Sequence, residues 1–110
     1  MAIYVTSDAH GHVRALDEAL SKISLTSDDT LYVLGDMIDR GPDPVGVIKL
    51  VRSLPNARVL KGNHEQIMLD AIVGQDPLDA ETWDINGGWT TREQLNDMEY
   101  EAYEELMRWM

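Results

Sequence analysis

Asp8 and His10 stand two residues apart, and Asp36 follows the next apolar run, so three side chains offer two carboxylates and one imidazole. That mixed oxygen and nitrogen set suits a hard-to-borderline divalent ion such as manganese, iron or zinc. A carboxylate has two oxygens, so Asp36 could bridge to a second ion, with Asn63 as a neutral oxygen ligand beside it. In two-metal sites the ions lie roughly 3.5–4 Å apart and clamp the attacking and leaving oxygens of an in-line displacement. His64, next to Asn63, suits the general acid that protonates a leaving alkoxide. That role needs an imidazolium, which a neighbouring carboxylate favours, and Asp39 is the candidate. Arg40 has the planar fork that matches phosphate oxygens. Gly11, Gly35, Gly41 and Gly62 allow tight turns and close backbone approach around an anion.

Taken singly, these residues have plainer readings. Asp36 and Asp39 would cap turns, Arg40 would form a surface ion pair, and His64 would start a helix. What favours chemistry is that three such groups each follow an apolar run: Ile3-Tyr4-Val5 before Asp8-Ala9-His10-Gly11, Leu31-Tyr32-Val33-Leu34 before Gly35-Asp36, and Val59-Leu60 before Gly62-Asn63-His64-Glu65. In open α/β sheets, ligand sites form outside the carboxyl ends of the strands. His12 reads differently, as a solvent-facing residue near a helix start.

The elements that must hold these groups follow from periodicity. Strands are expected over Ala2–Thr6, Thr30–Leu34 and Ala57–Leu60. Val13, Leu16, Leu20 and Ile23 recur at helical spacing and predict a helix over Val13–Ile23. Asp43 as cap and Pro44 at the first position predict a second helix, from Pro44 to about Leu54. A third is expected over Glu65–Val73, closed by Gly74. Gln75–Asn86 reads mostly as loop. Thr90 with Glu93, or Thr91 with Gln94, would form a capping box for a helix over Thr91–Met98. Tyr100, Tyr103, Leu106, Met107 and Met110 mark the inner face of a last helix.

Strand–helix alternation predicts an α/β fold with a parallel sheet and right-handed crossovers, βαβαβ followed by C-terminal helices. Such crossovers put both connecting helices on one face. The strands are nonetheless apolar at consecutive positions, as strands covered on both faces are. The C-terminal helices, a partner or a missing part of the protein must then cover the second face; left open, it would let copies of the chain associate.

At 110 residues the chain suits one small domain, and a 44% hydrophobic content is enough for a core. There is no cysteine, hence neither a disulfide nor a thiolate metal site. The first residues lack a basic n-region, no stretch approaches membrane-spanning length, and a cytoplasmic protein is expected. The net charge of −11 is uneven: residues 1–69 carry nine acids against seven bases, and residues 70–110 eleven against two. Such a surface argues against nucleic acid and anionic membranes as partners, since both require clustered Lys and Arg.

Asp8-Ala9-His10-Gly11, Gly35-Asp36-Met37-Ile38-Asp39-Arg40-Gly41 and Gly62-Asn63-His64-Glu65 resemble the three N-terminal motifs of the calcineurin-like metallophosphoesterases. Within that family the resemblance runs to the phosphoprotein phosphatase group, including its small bacterial and phage-type serine/threonine phosphatases. Asn86-Gly87-Gly88-Trp89 resembles the Gly-rich segment those enzymes carry further on. The resemblance implies a two-metal phosphoester hydrolase, with direct attack on phosphorus by a metal-bound hydroxide. Asp8, His10 and Asp36 would hold the first ion, and Asp36 and Asn63 part of the second. Manganese is the first choice, with iron, zinc or nickel as others. Arg40 and Asn63 would touch phosphate, and His64 with Asp39 would protonate the leaving oxygen.

Within that resemblance, Asp39 before Arg40 and Glu65 after His64 favour the protein phosphatase branch, which implies a phosphorylated protein or small phosphoester as substrate. Symmetrical dinucleoside tetraphosphate hydrolases are similar over the same span and are the alternative. A second alternative is an inactive metal- or partner-binding fragment. The family's second half brings two further histidine ligands and another phosphate-binding arginine, and no histidine follows His64 here. Residues 1–110 are therefore expected to form the N-terminal part of a metallophosphoesterase domain: the parallel-sheet half of its β-sandwich, with the second metal site incomplete.

Overall fold

The computed structural model describes residues 1–74 and 76–110. Three parallel strands, β1 (Ile3–Thr6), β2 (Thr30–Val33) and β3 (Ala57–Val59), form a sheet in the order β1-β2-β3. Helix α1 (Val13–Ser21) connects β1 to β2, and α2 (Pro44–Arg52) connects β2 to β3. Four helices follow: α3 (Asn63–Val73), α4 (Pro77–Ile85), α5 (Trp89–Asn96) and α6 (Tyr100–Trp109). Among the described residues, no helix is long and apolar enough to cross a membrane.

Register sorts the strand residues into two faces. Tyr4, Leu31 and Ala57 align in one row, and Thr6, Val33 and Val59 in another. This face is covered. Leu31 and Val33 join a buried core with Leu16 of α1, Val47, Ile48 and Val51 of α2, Met68 of α3 and Leu106 of α6. The opposite face carries Ile3 and Val5, which are 61% and 62% exposed. Two-sided burial, expected from the consecutive apolar residues, is therefore not what the chain shows. The C-terminal helices do not supply the missing cover, because α4 packs on α3 and α5 on α2.

Helix α2 begins as its sequence predicts: the Asp43 carboxylate accepts the Gly46 N–H at 2.9 Å, and Pro44 occupies the first turn. The expected loop over Gln75–Asn86 is corrected. Gln75 lies outside the described residues, and Pro77–Ile85 is helix α4, with Asp76 as its N-cap accepting from Leu78 N–H. Its apolar residues have no single stripe, since Leu78 and Ile85 are exposed and only Trp83 is buried. Periodicity therefore could not reveal it. The capping boxes at Thr90 and Thr91 are also corrected, because α5 starts at Trp89 behind Gly88. Gln94 instead accepts the Val45 N–H and donates to Asp43, tying α5 to the start of α2. On α6, Leu106 is buried and Tyr103, Met107 and Met110 pack against the core, whereas Tyr100, expected inside, is 71% exposed.

Candidate metal and phosphate site

A parallel sheet brings the carboxyl ends of its strands to one edge. There the loops after β1 and β2 are laced together: His10 N–H donates to the Asp36 carbonyl at 3.0 Å, and Gly11 N–H to that of Met37 at 2.9 Å. The ligand atoms of Asp8, His10 and Asp36 all lie within 4.8 Å of one another. His10 Nδ1 is 2.8 Å from the Ile38 carbonyl. A carbonyl only accepts, so Nδ1 carries the proton and Nε2 keeps its lone pair, the arrangement a metal-ligating imidazole needs. Two carboxylates and one oriented imidazole fit a divalent ion of the manganese, iron or zinc type.

The same residues line an open cavity of about 440 Å³ together with Arg40, Asn63, His64, Gln66 and Asn86. Of the side chains expected to hold metal, touch phosphate or move a proton, all reach it except Asp39, which is fully buried behind His64. The Asp39 carboxylate meets His64 Nδ1 at 2.8 Å, so His64 donates from Nδ1 and Nε2 is left for the cavity side of the ring. The His10 and His64 rings meet edge-on, with centroids 4.6 Å apart. His64 N–H also donates to Asp36 Oδ1 at 2.8 Å, linking the His64–Asp39 pair to the Asp8, His10 and Asp36 cluster.

The backbone of this edge is unusual. Six described non-glycine residues have positive φ, and five of them are Asp8, His10, Asp36, Asp39 and Arg40. Left-handed non-glycine residues persist only where their surroundings hold them. Glu65 is one such hold. Buried at the start of α3, it accepts N–H bonds from Asp36 at 2.5 Å, Met37 at 2.9 Å and Gly62 at 2.9 Å. The turn between α4 and α5 is the other, with Arg40 N–H donating to the Gly87 carbonyl at 3.0 Å and Arg40 Nε to that of Asn86 at 3.4 Å.

Two participants were missed in the sequence. Trp83 Nε1 donates to both oxygens of Asp39, at 3.0 and 3.2 Å, and the Thr91 hydroxyl donates to Oδ1 at 2.7 Å. Thr91 had a competing reading as a helix cap, and Trp83 sat in a stretch read as loop. Only the Asn86-Gly87-Gly88-Trp89 segment between them had been singled out.

The profile of the calcineurin-like phosphoesterase family matches residues 1–109. The chain belongs to that family. Among phosphoesterases of known name, it is 38% identical over 76 residues to a symmetrical bis(5'-nucleosyl)-tetraphosphatase of Pectobacterium carotovorum, covering 67% of this chain and 27% of that protein. The corresponding enzyme of Erwinia tasmaniensis is 30% identical over 113 residues, covering 100% of this chain and 37% of that one. Serine/threonine-protein phosphatase 1 of Salmonella typhimurium is 38% identical over 92 residues, covering 82% of this chain and 41% of the relative. A crystal structure of a candidate diadenosine tetraphosphatase superposes with a TM-score of 0.52 at 29% identity, over 72% of this chain and 40% of that one. The chain thus spans between 27% and 41% of the length of these curated phosphoesterases.

Proposed function

We propose that this chain carries the metal-binding and proton-donating part of a metal-dependent phosphoester hydrolase. The observation behind this reading is one cavity that joins Asp8, His10 and Asp36, clustered within 4.8 Å, to a His64–Asp39 pair at 2.8 Å. Asp8, His10 and Asp36 would hold a first divalent ion, manganese ahead of iron, zinc or nickel. Asp36 and Asn63 would contribute to a second, which these residues alone leave incomplete. Bound ions supply Lewis-acid stabilisation of phosphoryl charge and a nucleophilic water at neutral pH. The chain's own groups do the rest. Arg40 and Asn63 orient the phosphoryl oxygens, and His64 Nε2 delivers a proton to the departing oxygen while Asp39 holds the ring at Nδ1.

For the substrate, the relatives support a dinucleoside polyphosphate, cleaved symmetrically, at least as well as the phosphoprotein expected from the motifs. The phosphoprotein reading keeps two supports: the serine/threonine phosphatase relative, and the His64–Asp39 pair itself. A serine or threonine alkoxide leaves only with a proton, whereas a nucleoside diphosphate is a far better leaving group.

The test offers the 110-residue chain, with manganese, diadenosine tetraphosphate, a phosphoserine peptide and an aryl phosphate, alongside a His64→Asn control and a metal count. Metal bound at Asp8, His10 and Asp36 is the expected result, with ADP as the only nucleotide product of any turnover of the dinucleotide. Preferred release of phosphate from the peptide would shift the reading to a phosphoprotein phosphatase. A chain that binds no divalent metal, or turnover indifferent to His64→Asn, would overturn the hydrolase reading.

A further inference from the structure

Asp39 has no exposure to solvent, and every partner of its carboxylate comes from another part of the chain. Oδ2 faces His64 Nδ1, Oδ1 accepts the Thr91 hydroxyl, and the Trp83 indole N–H straddles both oxygens. The Asp39 N–H in turn donates to Thr91 Oγ1 at 2.9 Å, so that hydroxyl accepts from the backbone and donates to the carboxylate of one residue. Its hydrogen therefore has one direction to point. A carboxylate held by His64 alone could turn about its last torsion and offer either oxygen. With Thr91 on one oxygen and Trp83 across both, the plane is set, and with it the edge presented to His64.

These donors lie 44 and 52 residues beyond Asp39, on α4 and α5. The turn that joins the two helices is packed against the indole: a side chain at Gly88 would come within 2.2 Å of Trp83 Cδ1. The same turn holds Arg40 through the Gly87 carbonyl.

We infer that Trp83 and Thr91 are positioning residues for the His64–Asp39 pair, and that the α4–α5 segment exists at this edge to deliver them. The inference rests on the hydrolase reading above for its catalytic meaning, and on the hydrogen bonds for its geometry. Trp83 also fills core volume, so the variant that separates the two roles is Trp83→Phe, which keeps a ring and removes the donor. Thr91→Val keeps shape and removes the hydroxyl, and Thr91→Ser restores it.

Two readouts on the full chain decide. In long-range proton–nitrogen spectra, the His64 Nδ1–H signal is identified by its loss in His64→Asn. It is expected to be protected from solvent exchange, to exchange faster in Trp83→Phe and Thr91→Val, and to recover in Thr91→Ser. With manganese present, the two donor-lacking variants are expected to lose about tenfold or more in kcat on phenyl phosphate, a poor leaving group, and much less on p-nitrophenyl phosphate. An unchanged His64 signal in folded Trp83→Phe and Thr91→Val would overturn the inference. So would equal losses on both esters. If Trp83→Phe does not fold, the Val and Ser variants at Thr91 decide alone. If the parent chain, with its second ion site incomplete, hydrolyses neither ester, the imidazole signal alone decides.

Discussion

Asp36, in the loop after β2, and Glu65, in the first turn of α3, are joined by the Asp36 N–H, which donates to Glu65 Oε1 at 2.5 Å. The link is two-way, because His64, one residue before Glu65, donates its own N–H to the Asp36 carboxylate at 2.8 Å. A buried carboxylate with three backbone donors thus sets the positions of two candidate site residues, Asp36 and His64, together.

Glu65→Gln leaves one acceptor oxygen and turns an amide N–H₂ toward backbone donors. Loss of roughly 1–3 kcal/mol is expected from the charge-assisted bonds removed. A urea titration should show a lower midpoint with an unchanged slope. An unaltered midpoint would mean that Glu65 does not hold this edge.

Metal should register as stability. A ligand that binds only the folded chain stabilises by about 2.7 kcal/mol at a hundred times its dissociation constant. Manganese is expected to raise the unfolding temperature, and a chelator to reverse the rise. Asp36→Asn and His10→Gln should each abolish it. His12→Gln should not, because His12 is exposed at the start of α1 and its side chain makes no capping bond.

Gly35 has φ +93°, and a Cβ there would fall 2.2 Å from the Gly62 N. Both faults act on the crossing of the two motif loops. Gly35→Ala is expected to cost more than about 2 kcal/mol in chemical denaturation and to weaken manganese binding in calorimetry. Wild-type values for both would show that the two loops can separate freely.

Asp29 gives a pH dependence away from the site. Its carboxylate accepts the Thr26 N–H and the Ala2 N–H, both at 2.9 Å, which hold its pKa below the usual carboxylate range, with Thr26 the larger cause. A carboxyl whose folded pKa is lowered stabilises the fold above the unfolded value, and this is lost as pH falls through the folded one. Asp29→Asn should therefore be less stable than the parent at pH 7, with the gap narrowing as pH drops below about 4. A gap constant from pH 7 to pH 3 would remove Asp29 from the acid response.

Most of the site was legible because its residues sit in short motifs, each within a few positions of a strand end. Asp8, His10, Asp36, Asn63 and His64 needed only the inference of a parallel sheet to be brought to one edge. The pairing of Asp39 with His64 followed from the carboxylate that an imidazolium at His64 would need beside it. Helix α4 was not legible, because a helix that buries only Trp83 has no apolar stripe to betray it. Thr91 was misread because a threonine near a helix start is ordinarily a cap, and nothing local says that its hydroxyl has a partner 52 residues away.

The sequence by itself determined the candidates: which side chains could hold a divalent ion, which could move a proton, and that three strand ends would bring them together. Strand order and motif spacing are local patterns, and a parallel sheet has one way to align its carboxyl ends. Only the tertiary structure decided how the Asp39 carboxylate is held, which loops Glu65 ties, and that the sheet face bearing Ile3 and Val5 is open. Those outcomes depend on hydrogen bonds and burial between segments far apart in the chain. Such contacts exist only after the helices have packed.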